Sequence, residues 1–481
     1  MQIPALGTRQ ILQSLHQQLR DAIVDGRLTA GQRMPSTRTL AHLLGISRST
    51  VSSCYELLIN EAYLRSQSGS GTYVASVLGL RTRQTPLDTS TLLQKINPIW
   101  RTATLPVQLK TPVKFDFSIG NPDPRFFPYE VWRRLVARAM LVSEKTKSSY
   151  SDPQGDPQLR IAIAHHVSLT RAVACSADDI IVTAGAQQAM DLLARVLVTP
   201  GRTKCVLENP SYPALRHAFA GAGAKLYPIA VDQDGLIVEQ LPQRMQILCV
   251  SPTHQSPTGA TLSATRRAQL LDYASSNDAI IIEDDYDGEF RLSGRPLDAL
   301  QTLDREQRVF YIGTFSKSMF SSLRIGFVVA PIWARAALIN AKIACNWQVP
   351  LIAQAALAEF ISQGQLAKHV RKMRDIYIIR NKAIVHALDQ HFGSQLEILP
   401  SLAGMHICTL LDKKYKAEHW LAAALKAGIR IESLDRYHYP SSSLPTSDIS
   451  HGPNGLLFGY GLMDVDRIHA GMKLLKRVTD A

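Results

Sequence analysis

Residues 313–327 read GTFSKSMFSSLRIGF and follow an apolar run, RVFYI (308–312), that reads as a short buried strand. One lysine, Lys317, sits among small hydroxylated residues, and Arg324 follows it. Most lysines at such a place are solvated loop residues. The other reading is a lysine held in a pocket to form an imine with a carbonyl cofactor. The stretches on either side decide between them.

A carbonyl cofactor that carries a ring nitrogen, a phenolic oxygen and a phosphate needs a carboxylate, a donor, an aromatic lid and an anion site. Candidates for each stand in the chain. AIIIEDDYDGEFR puts Asp284 at a strand end with Tyr286 two residues on, so both side chains share one face. DIIVTAGAQQAMDLLARVL reads as strand, small-residue turn and helix, with the N–H groups of Gly185, Ala186 and Gln187 placed for a phosphate. Thr314, Ser316 and Arg324 complete that phosphate site. ENPSYPALRHAF offers Tyr212 as a stacking lid, and SPTHQSPTGATLS is a turn carrying His254, Gln255 and Ser256. Taken singly each is weak: Asp-Asp-Tyr is commonly a turn cap and Tyr212 a core residue. Their order along the chain is the argument.

The strands DIIVTAG, TKCVLEN, MQILCVSP, AIIIEDD and RVFYIG alternate with helical patterns over 113–481, which predicts an α/β domain with a largely parallel sheet. Residues 1–75 read differently. ILQSLHQQLRDAIVDG carries a helical apolar stripe, and Ser36 and Ser47 are placed as N-caps of two further helices joined through Gly45-Ile46. That is a helix-turn-helix, with YLRSQSGSGTYVA as a hairpin turning at Gly69 and Gly71. Residues 76–112, rich in Thr, Pro and basic residues, read as a linker. Arg81, Arg83, Lys95, Arg101, Lys110 and Lys114 face a single acid, Asp88, across residues 77–114.

The remaining composition bounds the class. The chain has 481 residues, 46% hydrophobic, with formal net charge +13, enough for two to four domains and compatible with nucleic-acid binding. It contains no apolar run of membrane-spanning length, and its first residues do not follow the pattern of a secretory signal, so a cytoplasmic protein with no membrane partner is expected. Six scattered cysteines are expected to be reduced thiols.

The stretch RDAIVDGRLTAGQRMPSTRTLAHLLGISRSTVSSCYELLINEAYLRSQSGSGTYVA resembles the winged helix of the GntR family along its length. That resemblance implies that Ser36, Arg38, Ser47, Arg48, Ser49 and Thr50, with Gly69 and Gly71 in the wing, approach double-stranded DNA. The order helix-start turn, Tyr212, Ser-Pro-Thr-Gly, Asp-x-Tyr and Ser-Lys…Arg resembles fold-type I pyridoxal phosphate enzymes. Residues 113–481 look like a class I/II aminotransferase with a large and a small lobe. The two parts together resemble the MocR subfamily of GntR regulators. This resemblance implies a head-to-tail homodimer that binds pyridoxal 5'-phosphate and regulates transcription in a bacterial cytoplasm, nucleoid-associated when on DNA. Lys317 would form the internal aldimine and Asp284 would meet the ring nitrogen. Tyr286 would serve the phenolic oxygen, Tyr212 would stack, and Ala186, Gln187, Thr314 and Arg324 would hold the phosphate. The implied effector is pyridoxal phosphate itself, or an amine or amino acid that reacts with it. A working aminotransferase with an accessory DNA-binding domain is the alternative.

Two departures from the aminotransferase pattern stand out. Ser256 replaces the usual Asn before Pro-Thr-Gly, and NGLLFGYGLMD (454–464) carries Leu456 and Leu457 where an arginine for a substrate carboxylate is usual. Arg436 and His451 are the nearby substitutes, and amino-acid transamination is correspondingly doubtful.

Overall fold

A computed structural model describes residues 8–67, 69–76, 93–97, 100, 112–145, 150–294, 298–439 and 454–480. The chain divides into two compact units, Met1–Asn97 and Pro98–Ala481. Most of the basic stretch expected as a linker lies outside the described residues.

The first unit contains α1 (Thr8–Val24), α2 (Thr37–Leu44) and α3 (Arg48–Asn60), followed by the antiparallel hairpin β1 (Leu64–Gln67) and β2 (Gly71–Val74). The two expected caps form. The Ser36 hydroxyl accepts the Thr39 N–H, and the Ser47 hydroxyl accepts the Thr50 N–H, each satisfying a helix-start donor. Gly45, at φ 63°, ends α2 in the left-handed conformation that glycine adopts without penalty. Leu15, Leu19, Val51, Leu58, Leu64 and Val74 close a small core beneath the three helices and the hairpin.

The second unit carries the strands β3 (Phe115–Asp116), β4 (Ile180–Thr183), β5 (Lys204–Asn209), β6 (Lys225–Asp232), β7 (Gly235–Leu236), β8 (Ile247–Val250), β9 (Ile280–Asp285), β10 (Val309–Thr314), β11 (Gly326–Val329), β12 (Leu396–Ile398), β13 (His406–Leu411), β14 (Ile429–Arg430), β15 (Glu432–Ser433) and β16 (Gly455–Gly459). Eight of them form one sheet in the order β4-β11-β10-β9-β8-β5-β6-β7. Its central pairs, from β10 to β6, are parallel. β11, which no apolar run in the sequence singled out, is antiparallel to both of its neighbours.

The parallel strands read as apolar runs because both faces are covered. Successive residues pack into different clusters: Ile282 and Cys249 under one face, Ile281 and Leu248 under the other. A four-stranded antiparallel sheet, β12-β13-β16-β15, forms the small lobe. Its core gathers Phe117, Tyr377, Leu456, Phe458 and Tyr460. β3 pairs with β14, so the chain between Phe115 and Gly120 enters the small lobe before it crosses to the large one. Among the described residues no helix is long and apolar enough to cross a membrane. All six cysteines are free of disulfides.

Candidate functional site

The carboxyl ends of β8, β9 and β10 border a cavity of about 800 Å³, the end of an open α/β sheet where ligands bind. The pleat of β9 sorts its acids. Glu283 accepts the N–H groups of Leu300 (2.8 Å) and Gln301 (2.9 Å). Asp285 accepts Arg171 Nε at 2.6 Å and the Tyr311 phenol at 2.7 Å. Asp284 and Tyr286 take the alternate face and line the cavity. Asp284 Oδ1 is buried and has no hydrogen-bond partner among the described residues. Burial, reinforced by the charges of Asp285 and Asp287, pushes its carboxyl up to about 7.

Lys317 lies three residues beyond β10, and its Nζ donates to the Gly120 carbonyl at 2.7 Å. Burial lowers its pKa from the ordinary lysine value, outweighing the opposite pull of Asp287 and Asp284. Gly120 permits this approach: its φ is +74°, and a Cβ there would overlap Lys317 Nζ.

Opposite the carboxyl, α4 (Ala186–Leu197) begins at the cavity. The first helical N–H groups, those of Ala186 and Gln187, have no carbonyl of their own helix to bond. Gly185 plays a different part from the one expected. Its N–H is taken by the Thr183 carbonyl at 2.9 Å, so it offers no donor. It serves by lacking a side chain, since a Cβ at Gly185 would lie 2.8 Å from Arg324 Nη2. Arg324, at φ +52°, donates to the Ala184 carbonyl at 3.3 Å and faces the start of α4. Thr314 and Ser316 are buried in the same wall, with the Thr314 hydroxyl donating to Ser316 Oγ at 3.1 Å and accepting the Ser316 N–H at 3.2 Å. Tyr212 borders the cavity with 39% of its surface exposed. Ser256 is buried and lines the same cavity as Tyr286. The cofactor-side residues expected from the sequence therefore line or adjoin one cavity.

Sequence reasoning missed three residues there. Gly120 is described above. Asp287 and His406 also line the cavity. Asp287 was legible as an acid three residues beyond Asp284, but nothing local aims it inward. His406 begins β13, far away in sequence, and burial lowers its pKa to about 4.

Leu456 and Leu457 do not face a ligand; they are fully buried in separate apolar clusters. Arg436 lines the cavity, about half exposed, with its Nη1 4.0 Å from Glu432 Oε2. His451 lies outside the described residues.

In the first unit, Arg38, Arg48 and Ser49 are exposed at the starts of α2 and α3, and Arg48 Nε donates to Thr37 Oγ1 at 3.5 Å. Gly69 and Gly71 stand exposed at the wing turn with φ of 75° and 116°. Thr50 corrects the expectation. It is 7% exposed and its hydroxyl lies 2.7 Å from Ser47 Oγ, so it belongs to the cap and the core rather than to the outer face. Ser36 and Ser47 remain exposed, with their hydroxyls committed to the caps.

Residues 112–442 match the family model "Aminotransferase class I and II", and residues 12–74 match "Bacterial regulatory proteins, gntR family". The probable rhizopine catabolism regulatory protein MocR of Rhizobium meliloti is 35% identical over 96% of this chain and 92% of its own length. The HTH-type pyridoxine biosynthesis transcriptional regulator PdxR of Corynebacterium glutamicum is 30% identical over 97% of this chain and 95% of its own length. Among solved structures, LysN, an α-aminoadipate aminotransferase of Thermus thermophilus complexed with N-(5'-phosphopyridoxyl)-L-leucine, superposes with a TM-score of 0.69 at 26% identity, over 76% of this chain and 92% of LysN. With a winged helix-turn-helix ahead of a class I/II aminotransferase domain, and regulators of that build matching nearly end to end, the chain belongs to the MocR subfamily of GntR-family transcriptional regulators.

Proposed function

We propose that the aminotransferase-like domain binds pyridoxal 5'-phosphate covalently at Lys317 and that the regulator reads this cofactor, or an amine that reacts with it. The observation that carries the reading is the buried, partnerless Asp284 Oδ1 sharing one cavity with the Lys317 amine and the start of α4. A buried acceptor with no partner is costly unless a ligand supplies the donor, and a protonated ring nitrogen is such a donor. The residues present fit the group: Asp284 would take the ring nitrogen and Tyr286 and Ser256 the phenolic oxygen. Tyr212 would take a ring face, and Ala186, Gln187, Thr314, Ser316 and Arg324 the phosphate. When bound, the cofactor supplies a carbonyl that reacts with amines and a ring that withdraws electrons.

The chain's own part is to favour the neutral form of the Lys317 amine and to aim it. Because burial lowers the Lys317 pKa, the neutral fraction at pH 7 exceeds that of an ordinary lysine near 10.4. The rate of cofactor attachment, followed by borohydride fixation and intact mass, is expected to rise with pH and to level off below that ordinary value.

The winged unit, residues 1–75 in our division, binds double-stranded DNA, and residues 76–112 link it to the cofactor domain, 113–481. In this reading a head-to-tail homodimer in the bacterial cytoplasm, nucleoid-associated when bound, sets two winged helices against two half-sites. A ligand shifts that arrangement only by its differential affinity for two lobe positions. Arg48→Ala is expected to weaken operator binding by about 1–3 kcal/mol. Arg38→Ala is expected to lower the salt slope by about 1. Fluorescence anisotropy at several salt concentrations measures both. A working aminotransferase is the second reading. Burial of Leu456 and Leu457, with no arginine at that place for a carboxylate, weighs against it. Sustained conversion of an amino acid and a 2-oxo acid would favour it.

A further inference from the structure

Beside Asp284 the cavity wall carries a chain of polar contacts. Tyr286 Oη lies 2.9 Å from His254 Nδ1. The same nitrogen lies 2.9 and 3.0 Å from the two carboxylate oxygens of Asp287. On the other side of the ring, His254 Nε2 lies 3.1 Å from Ser401 Oγ, and Ser401 Oγ donates to the Ala403 carbonyl at 2.9 Å. His254 and Asp287 are each 2% exposed. His254 belongs to the turn after β8, whereas Ser401 and Ala403 belong to the loop before β13. The contacts therefore run from the cavity to the small-lobe sheet.

Counting hydrogens constrains this chain. An ionised carboxylate only accepts, so His254 Nδ1 carries its hydrogen and donates it to Asp287. Tyr286 then cannot donate to Nδ1, and its hydrogen is left for an acceptor in the cavity. At the far end, Ser401 has one hydroxyl hydrogen and two neighbours that compete for it. With His254 doubly protonated, Nε2–H donates to Ser401 Oγ, and Ser401 keeps its bond to Ala403. With His254 neutral, Nε2 accepts from Ser401, and the Ala403 carbonyl loses that hydrogen. The hydrogen on His254 Nε2 and the Ser401–Ala403 hydrogen bond are thus coupled.

That loop is fastened to both lobes. The Leu292 N–H donates to the Leu402 carbonyl and the Gly404 N–H to the Phe290 carbonyl, each at 2.9 Å. The Tyr460 hydroxyl donates to the Gly404 carbonyl at 2.7 Å. Gly404, at φ +88°, passes so close to the ring that a Cβ would overlap His254 Cε1 and lie 2.8 Å from Asp287 Oδ2. From the small lobe, His406 faces His254 at 5.2 Å between ring centroids, and its Nε2 lies 2.9 Å from the Pro257 carbonyl. The titratable groups around His254 are Asp287, Tyr286 and His406, with Asp284 and Lys317 along the same cavity.

We infer that His254 is a positioning residue that turns the Tyr286 hydroxyl hydrogen into the cavity and reports the protonation state of the bound ligand's phenolic oxygen to loop 401–405 of the small lobe. The inference rests on pyridoxal phosphate being that ligand. A negative phenolic oxygen accepts the Tyr286 hydrogen and favours the charged imidazole ring. A neutral one withdraws that support.

The test uses the full-length protein saturated with pyridoxal phosphate, compared with His254→Phe and His254→Asn; the asparagine amide keeps a donor for Asp287 but does not titrate. Borohydride fixation and intact mass establish loading, and melting curves establish folding. Absorbance of the bound cofactor against pH should show a midpoint moved by about one unit, tenfold in proton affinity, in His254→Phe and partly restored in His254→Asn. Protection of the amides of residues 402–404, taken as exchange rate relative to the intrinsic rate at each pH, should change with pH in the wild type and in neither variant. Loaded variants with the wild-type midpoint and exchange response overturn the inference while leaving cofactor binding intact. A wild-type protein with no fixed adduct overturns the cofactor reading and this inference together. If His254→Phe does not fold, a wild-type exchange response in His254→Asn overturns the inference by itself.

Discussion

Lys317→Ala is expected to take borohydride-fixed pyridoxal phosphate from one per chain to none, measured by intact mass, while the protein stays folded. The fold should persist because the lysine Nζ makes a single bond to the Gly120 carbonyl, and the packed cores of both lobes lie elsewhere. The loss should also appear as stability. A ligand present at 100 times its Kd stabilises the folded state by about 2.7 kcal/mol, and addition of the cofactor should confer that on the wild type and much less on the variant. A variant that melts like the wild type both with and without cofactor would show that Lys317 is not the anchor.

Asp284→Leu is expected to move stability and affinity in opposite directions. In the cofactor-free chain the carboxyl is buried, one oxygen has no partner among the described residues, and its pKa is raised to about 7. Relative to an unfolded value near 3.9, the folded state is penalised increasingly as pH rises from about 4 through about 7, where the buried group must ionise. Replacement by leucine should therefore stabilise the cofactor-free protein by about 1–3 kcal/mol at pH 8, and by less at pH 5. The same change should weaken cofactor binding by roughly ten- to a hundredfold, the worth of a hydrogen bond to a charged group. Equilibrium denaturation at the two pH values and cofactor titration by absorbance give both numbers. A variant that is destabilised at both pH values would mean that Asp284 is a structural acid like Asp285.

That contrast between neighbouring aspartates marks how far the sequence could be read. Period-two alternation places Asp284 at the end of β9 and Tyr286 just beyond it on one face, and it holds because β9 is paired and covered on both sides. Ser36 and Ser47 were legible as caps because the hydrogen bond that makes a cap spans three residues. What local pattern does not contain is which surface a residue meets. Thr50 follows Arg48 and Ser49, yet the helical turn carries it inward. Gly185 reads as a phosphate donor until the Thr183 carbonyl takes its N–H. Gly120 and His406 reach the cavity through strand pairings and lobe packing that join segments more than a hundred residues apart, and Asp287 through the turn that follows β9. Their signals were a glycine in a polar turn, a fourth acid in the run EDDYD and one histidine in an apolar strand, none of which distinguishes a site from ordinary surface or core.

The central claim is that DNA binding by the winged unit answers to the occupant of the Lys317 cavity. The most direct measurement is a titration of the protein onto labelled DNA from upstream of its own coding region, at one fixed salt concentration. It is run cofactor-free and saturated with pyridoxal phosphate, for the wild type and for Lys317→Ala. The account predicts that the cofactor changes affinity or footprint in the wild type and changes neither in Lys317→Ala. Equal binding in all four titrations would contradict it and would leave the cavity without a part in regulation through pyridoxal phosphate alone.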